Sequence, residues 1–233
     1  MGNFIGQYKN AISDEVVDYM MDNFHKMREF HSHGQIGGGN VEKEVKDSYD
    51  YNILDYHSLD PHLNSHIFPL LGEQLDACIV KYLKEYPLFV EWGMEENIKT
   101  GTSKQILEQF GTRYAFWPFS ILMKRYLKGV GGYHAYHEDQ GEDAPHTLRA
   151  LVIMFYLNTV KEGGETEFYH QNLKVSPEKG KVVIFPTYFT HLHRGNIPIS
   201  EDKYICNFWV LKGDSGQEKN VANKWIKRSI YER

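Results

Sequence analysis

The segment from Tyr126 to Trp209 opens with YLKGVGGYHAYHED (126–139) and closes with THLHRGNIPISEDKYICNFW (190–209), and its alternation decides the fold. In an extended chain, side chains at i and i+2 share a face. His137 and Asp139 therefore offer one imidazole and one carboxylate to the same point. In the closing stretch, Lys203, Ile205, Asn207 and Trp209 share one face and Tyr204, Cys206 and Phe208 the other. A lysine, an asparagine and a tryptophan on an inward face describe a polar-lined cavity rather than a dry core.

Around these two runs the sequence reads as short strands divided by Gly, Pro, Asn and acidic turns, the pattern of a sandwich or jelly roll. Strands are expected over 119–126, 133–137, 148–157, 166–169, 181–185, 191–193 and 204–211. Gly163-Gly164 allows a positive-φ turn and 177–180 (PEKG) makes another.

His137 and Asp139 form a metal site in want of a third ligand, and His193 is the candidate. Two neutral imidazoles and one carboxylate on one face of an octahedron leave three positions open, as in non-haem Fe(II) oxygenases. His191 shares a face with His193, so alternation does not separate them. His134 is out of phase with His137 and should point away.

Taken together, the motifs resemble the Fe(II)/2-oxoglutarate dioxygenases, in their prolyl 4-hydroxylase-like branch. The resemblance rests on Tyr126 and Gly129, His137 and Asp139, Arg149, Tyr156-Leu157, Gly163-Gly164-Glu165-Thr166, His193-Arg194-Gly195 and Lys203, in the family's order over roughly a third of the chain. It favours His193 over His191, because only His193 stands directly before Arg-Gly and ten residues ahead of the lysine. It implies that Lys203 holds the distal carboxylate of 2-oxoglutarate and that Tyr126 contacts the same cosubstrate; Trp209 matches a tryptophan common in the family, and Asn207, on the same inward face, is a further candidate for lining the cosubstrate pocket. Where the family often has a threonine near the cosubstrate, this chain has Val152.

The fold so implied is mainly β with flanking helices: a double-stranded β-helix (jelly roll) core with N-terminal α-helices packed on it. It forms one domain over 1–233, with a mostly helical support region at 1–115, the core at 116–212 and a tail at 213–233. The cofactors implied are Fe(II), 2-oxoglutarate and O2, with ascorbate as an accessory reductant. The reaction implied is hydroxylation of a peptidyl or amino-acid substrate with release of succinate and CO2. Asp139 occupies the position that halogenating relatives leave vacant, which favours hydroxylation over chlorination. Two alternatives are a nucleic-acid repair-type oxygenase and a non-catalytic, cupin-like metal-binding protein. The first calls for a basic groove, and the second has no use for Lys203.

With 233 residues, 41% of them hydrophobic, the chain can build one sizeable core. A net charge of −5 and a pI near 6.2 give no basic footprint for nucleic acid. No apolar run approaches the roughly 20 residues of a membrane span, and the N-terminus lacks a signal-peptide h-region, so a cytoplasmic protein is expected. Cys78 and Cys206 sit in apolar runs and read as core residues in a reducing compartment.

Before the core, Ser13 followed by Asp14-Glu15 caps a helix running to about Phe30. A second amphipathic helix spans about 67–83, with Pro69 in its first turn. A short helix is expected over 106–110, and a last amphipathic one in the tail from Lys219. The glycine-rich run between His31 and Asn52 reads as a mobile loop that could act as a lid. His25, His31, His33, His57, His62 and His66 have no acidic or cysteine partner at ligand spacing and read as surface residues. Glu138, Glu142 and Asp143 form an acidic turn after the ligand pair, which would favour a positively charged substrate.

Overall fold

The computed structural model describes residues 2–87, 95–116, 120–141 and 146–213. The acidic Glu142 and Asp143 and the tail helix lie outside them. Ser13 caps the first helix, α1 (Asp14–Lys26), through its side chain, and Gln74 of α2 (Phe68–Glu85) ties itself to the same serine by two hydrogen bonds of 3.0 Å. α1 stops four residues short of the expected end, and one 3-10 turn (Arg28–Phe30) follows. The expected 106–110 helix is α4 (Ser103–Gly111), which begins with a reciprocal Thr102/Gln105 cap and is preceded by α3 (Glu95–Thr100).

Among the described residues, thirteen strands make two antiparallel sheets, as a jelly roll requires. They are β1 (Gly6–Tyr8), β2 (Ser32–His33), β3 (Lys46–Asp47), β4 (Tyr49–Asn52), β5 (Tyr114–Phe116), β6 (Leu122–Tyr126), β7 (Gly132–His137), β8 (Arg149–Tyr156), β9 (Thr166–Phe168), β10 (Leu173–Val175), β11 (Val182–Pro186), β12 (His193–Gly195) and β13 (Lys203–Lys212). The larger sheet runs β1-β11-β8-β13-β6-β4-β2, with β5 also on β13, and the smaller runs β10-β9-β12-β7-β3.

Alternation on the central strands separates two cores. Leu151, Ile153 and Phe155 of β8, Cys206, Phe208 and Val210 of β13, and Val182 and Ile184 of β11 face outward and pack with α1 and α2. Val152, Met154, Tyr156, Val183, Phe185, Ile205 and Trp209 face inward, between the sheets. Both faces of β13 are covered, so nine of its ten residues are buried. Cys78 and Cys206 are buried and unpaired in the helix-side core.

The 31–52 region corrects the expectation of a structureless loop. It supplies β2, β3 and β4, which place successive parts of one segment in the larger and smaller sheets. The buried pair Lys46 Nζ to Asp50 Oδ2, at 2.6 Å, links these parts, and Ser48 Oγ donates to Asp50 Oδ1 at 2.7 Å. The glycine run at 37–39 is one 3-10 turn between β2 and β3. The residues before 116 thus give strands as well as helices. Likewise the 191–193 strand begins only at His193, because His191 closes a 3-10 turn.

Phe155 is fully buried where β8 meets the helices. Phe155→Ala should lower unfolding free energy by about 3–5 kcal/mol, the usual cost of a phenylalanine-sized cavity. Urea denaturation followed by circular dichroism checks it, with the midpoint expected to fall at an unchanged m-value.

Candidate metal centre

Strand register brings the predicted ligands together. In the β7/β12 pair, His193 lies directly opposite His137. Asp139 follows β7 and is anchored by its backbone N–H to Thr187 O at 3.1 Å. One ligand atom from each of His137, Asp139 and His193 lies within 4.8 Å of the others, a spacing that suits one metal ion. The two rings are 4.3 Å apart between centroids, and His193 Nε2 stands 3.2 Å from Asp139 Oδ2.

Each imidazole is held from behind. His137 Nδ1 lies 3.2 Å from Ala135 O, and His193 Nδ1 lies 3.0 Å from His191 O. Carbonyl acceptors there place the proton on Nδ1 and leave Nε2 as a neutral donor. Burial, then repulsion from His193, lowers the pKa of His137 to about 3, which keeps it neutral. Burial alone would raise the Asp139 carboxyl, but His193 in its doubly protonated form, donating from Nε2 and carrying charge, outweighs it and holds the group well below the usual carboxylate range. Asp139 Oδ1 accepts from Trp209 Nε1 at 3.1 Å. Arg149 lies 3.9 Å over the Trp209 ring and donates through Nη1 to Asp139 O at 3.1 Å.

His191 is buried but turned elsewhere: Nε2 lies 3.0 Å from Asn3 O and Nδ1 2.9 Å from Thr190 Oγ1. His134 stays outside the cluster, as its phase requires, while His25 and His33 are exposed. His31 is half-buried against Phe24, with Nε2 2.9 Å from that residue's carbonyl.

The three residues open into a cavity of about 420 Å³, its mouth included, that extends along β13 to Lys203. Lys203 is 1% exposed and donates to Gly164 O at 2.8 Å. That carbonyl belongs to the Gly163-Gly164 turn, in which both residues have φ +73. Tyr126 pairs with Lys203 across the β6/β13 register and lies with its ring centroid 4.9 Å from Nζ. No carboxylate makes an ion pair with Lys203 among the described residues. Asn207 Oδ1 also faces this cavity, buried and without a partner. A buried cation without an anion beside an orphaned acceptor suits a dicarboxylate cosubstrate.

Three wall residues escaped the sequence reading. Tyr133 stacks on His137, with centroids 3.5 Å apart. Arg194 sits over Tyr136 and pairs with Glu167 at 3.0 Å. Lys124 enters the cavity from β6. Lys124 stands two residues before Tyr126, which the family resemblance singled out, so strand alternation gives the two the same face.

Residues 121–211 match the model of the 2OG-Fe(II) oxygenase superfamily. That segment, which carries His137, Asp139, His193 and Lys203, is a 2OG-Fe(II) oxygenase segment, and it is prolyl hydroxylase-like. Prolyl 4-hydroxylase subunit alpha-3 of Rattus norvegicus is 24% identical over 214 residues, covering 77% of this chain and 38% of the relative. This chain thus spans about two fifths of the length of that curated relative. Among solved structures, the 2OG complex of a viral collagen prolyl hydroxylase from Paramecium Bursaria Chlorella virus-1 gives a TM-score of 0.58 at 19% identity, covering 91% of this chain and 98% of the other. A Trichoplax adhaerens prolyl hydroxylase in complex with a hypoxia inducible factor peptide fragment gives 0.59 at 13%, covering 94% and 86%. These neighbours share the jelly-roll core. The cofactors of the superfamily are Fe(II) and 2-oxoglutarate with O2, and the His137, Asp139 and His193 arrangement fits them.

Burial lowers the pKa of Lys203 to about 7, with Glu165 raising it and Lys124 lowering it. A carboxylate ligand binds the ammonium form and raises that pKa, so its affinity is full below about pH 7 and falls as pH rises beyond it. Anaerobic titration of the Fe(II) protein with 2-oxoglutarate should show affinity falling by up to about tenfold per pH unit above pH 7. In Lys203→Met this dependence should be reduced.

Proposed function

We propose that this protein is an Fe(II)- and 2-oxoglutarate-dependent hydroxylase of a peptidyl or amino-acid substrate, working as one domain with its jelly-roll core at 116–212. His137, Asp139 and His193 hold the iron, and Lys203 with Tyr126 holds the distal carboxylate of the cosubstrate. One observation carries this reading: three potential ligands converge in a cavity whose other end holds a buried lysine that meets no anion among the described residues. The related collagen hydroxylase and the complex with a hypoxia inducible factor peptide support a peptidyl substrate.

Bound in this cavity, iron(II) and 2-oxoglutarate supply oxidising chemistry, in which O2 converts the cosubstrate to succinate and CO2 and hydroxylates a C–H bond. The chain supplies geometry. His137 and His193 present Nε2 because their Nδ1 protons are held by Ala135 and His191 carbonyls. Trp209 fixes one oxygen of Asp139 and leaves Oδ2 toward the histidines. Asn207 offers a polar atom on the inward face between Lys203 and Trp209. Val152, Met154, Phe185 and Ile205 exclude water around it.

Accessory use of ascorbate and a cytoplasmic location belong to the same proposal. Two buried, unpaired cysteines support a reducing compartment, and among the described residues no helix is long and apolar enough to cross a membrane.

The test is anaerobic addition of 2-oxoglutarate to the Fe(II) protein, read by the visible metal-to-ligand charge-transfer band. Wild type should show the band, His193→Ala should lose it, and Lys203→Ala should need at least about tenfold more 2-oxoglutarate, in line with loss of a charge-assisted contact. An iron-loaded wild type without the band would sink the cosubstrate assignment.

A further inference from the structure

The cavity holds a second cation that the cosubstrate does not account for. Lys124 stands two residues before Tyr126 on β6, and its pairing sets it between Ile205 of β13 and Asp50 of β4. It is 8% exposed, lines the cavity, and has no hydrogen-bond or ion-pair partner among the described residues. The nearby carboxylates are already engaged. Asp50 gives Oδ2 to Lys46 and Oδ1 to Ser48, while Asp139 is shared between Trp209 and His193.

Charge balance shows what is missing. Of the charged side chains lining the cavity, Arg194 is paired with Glu167, which leaves Lys124, Lys203 and Asp139. A divalent metal and a dianionic cosubstrate cancel each other, and Asp139 offsets one lysine. One ammonium remains, in a cavity where an uncompensated charge is costly. Burial, with repulsion from Lys46, pulls its pKa down to about 8, a strain that an added anion would relieve.

Position separates this group from the cosubstrate's distal end. The inward residues of β13 run from Lys203 through Ile205 and Asn207 to Trp209, whose indole reaches Asp139. Lys124 flanks that line at the level of Ile205, on the β4 side.

We propose that Lys124 binds a carboxylate of the prime substrate, so that the enzyme selects a molecule carrying its own carboxylate near the reacting carbon, such as a free amino acid or a chain-terminal residue. This deepens the hydroxylase reading above and rests on it. The cavity wall has the opposite sign to the one suggested by the acidic turn at 138–143. The distal carboxylate of 2-oxoglutarate is the other possible source of the same chemistry, and the experiment separates the two.

The experiment compares wild type, K124M and K124R. Affinity for 2-oxoglutarate is read from the anaerobic charge-transfer band, and succinate release is measured with the twenty common L-amino acids, each as free acid and as carboxamide. In wild type at least one free acid should stimulate succinate release tenfold or more over its amide. K124M should lose that preference, K124R should keep part of it, and 2-oxoglutarate affinity in both should stay within threefold of wild type. The thermal midpoint of apo K124M should equal or exceed that of wild type, because methionine fills the same space without a stranded charge. A tenfold loss of 2-oxoglutarate affinity in K124M with the acid preference kept would reassign Lys124 to the cosubstrate and overturn the proposal. Equal stimulation by acids and amides, no stimulation by any acid, or an unchanged preference in K124M would also overturn it. Absence of the band in wild type would instead strike the underlying hydroxylase reading.

Discussion

The pairing of His193 with His137 across β7 and β12 is the constraint on which the site depends. β12 is only three residues long and is held on its other side by β9, where His193 opposes Phe168. A slip of one residue would turn His193 to the opposite face and present Arg194 in its place. The neighbouring strands prevent it by burying Phe168 and Phe185 against the His193 ring, with centroids 5.6 and 4.8 Å away. The apolar core between the sheets therefore sets the spacing of the two imidazoles as well as the stability of the fold.

The same core accepts charges that a purely structural interior would avoid. Lys46, Lys124 and Lys203 are each under a tenth exposed. Lys46 is compensated internally by Asp50, so it contributes to joining the two sheets. Among the described residues no carboxylate contacts Lys203 or Lys124, and the protein tolerates them because extensive packing on both faces of β13 offsets their desolvation. Such a cavity is preorganised for anions: its cations are fixed before any ligand arrives, and ligand binding relieves a cost already present in the fold.

The β core and the site were legible where alternation and charge coincide. His137, Asp139, Lys203 and Asn207 line the inward cavity that their phases predict, and Trp209 stands behind Asp139 without lining it. His193 was separable from His191 only through the family motif, because both are two apart on what reads as one strand. The structure breaks that strand with a 3-10 turn, and His191 uses both ring nitrogens on Asn3 and Thr190. β2 to β4 were not legible, since strands of two to four residues around a glycine-rich run carry too short a period and take their conformation from the strands they join. Lys124 was overlooked for a different reason. No motif marks it, although Arg125 meets Asp202 on one face of β6 while Lys124 turns inward on the other.

The segment that was hardest to read also flanks two strands that line the cavity. β3 pairs with β7 beside Tyr133, and β4 pairs with β6 beside Lys124, so residues 46–52 bridge the two sheets where the jelly roll would otherwise gape. Asp50 holds this bridge through Lys46 and Ser48, and those contacts are also what deny Lys124 an internal anion. The joint that closes one edge of the barrel thus leaves an ammonium available inside it. Closure and charge selectivity are two results of one carboxylate's hydrogen bonding, and a change at Asp50 would alter both together.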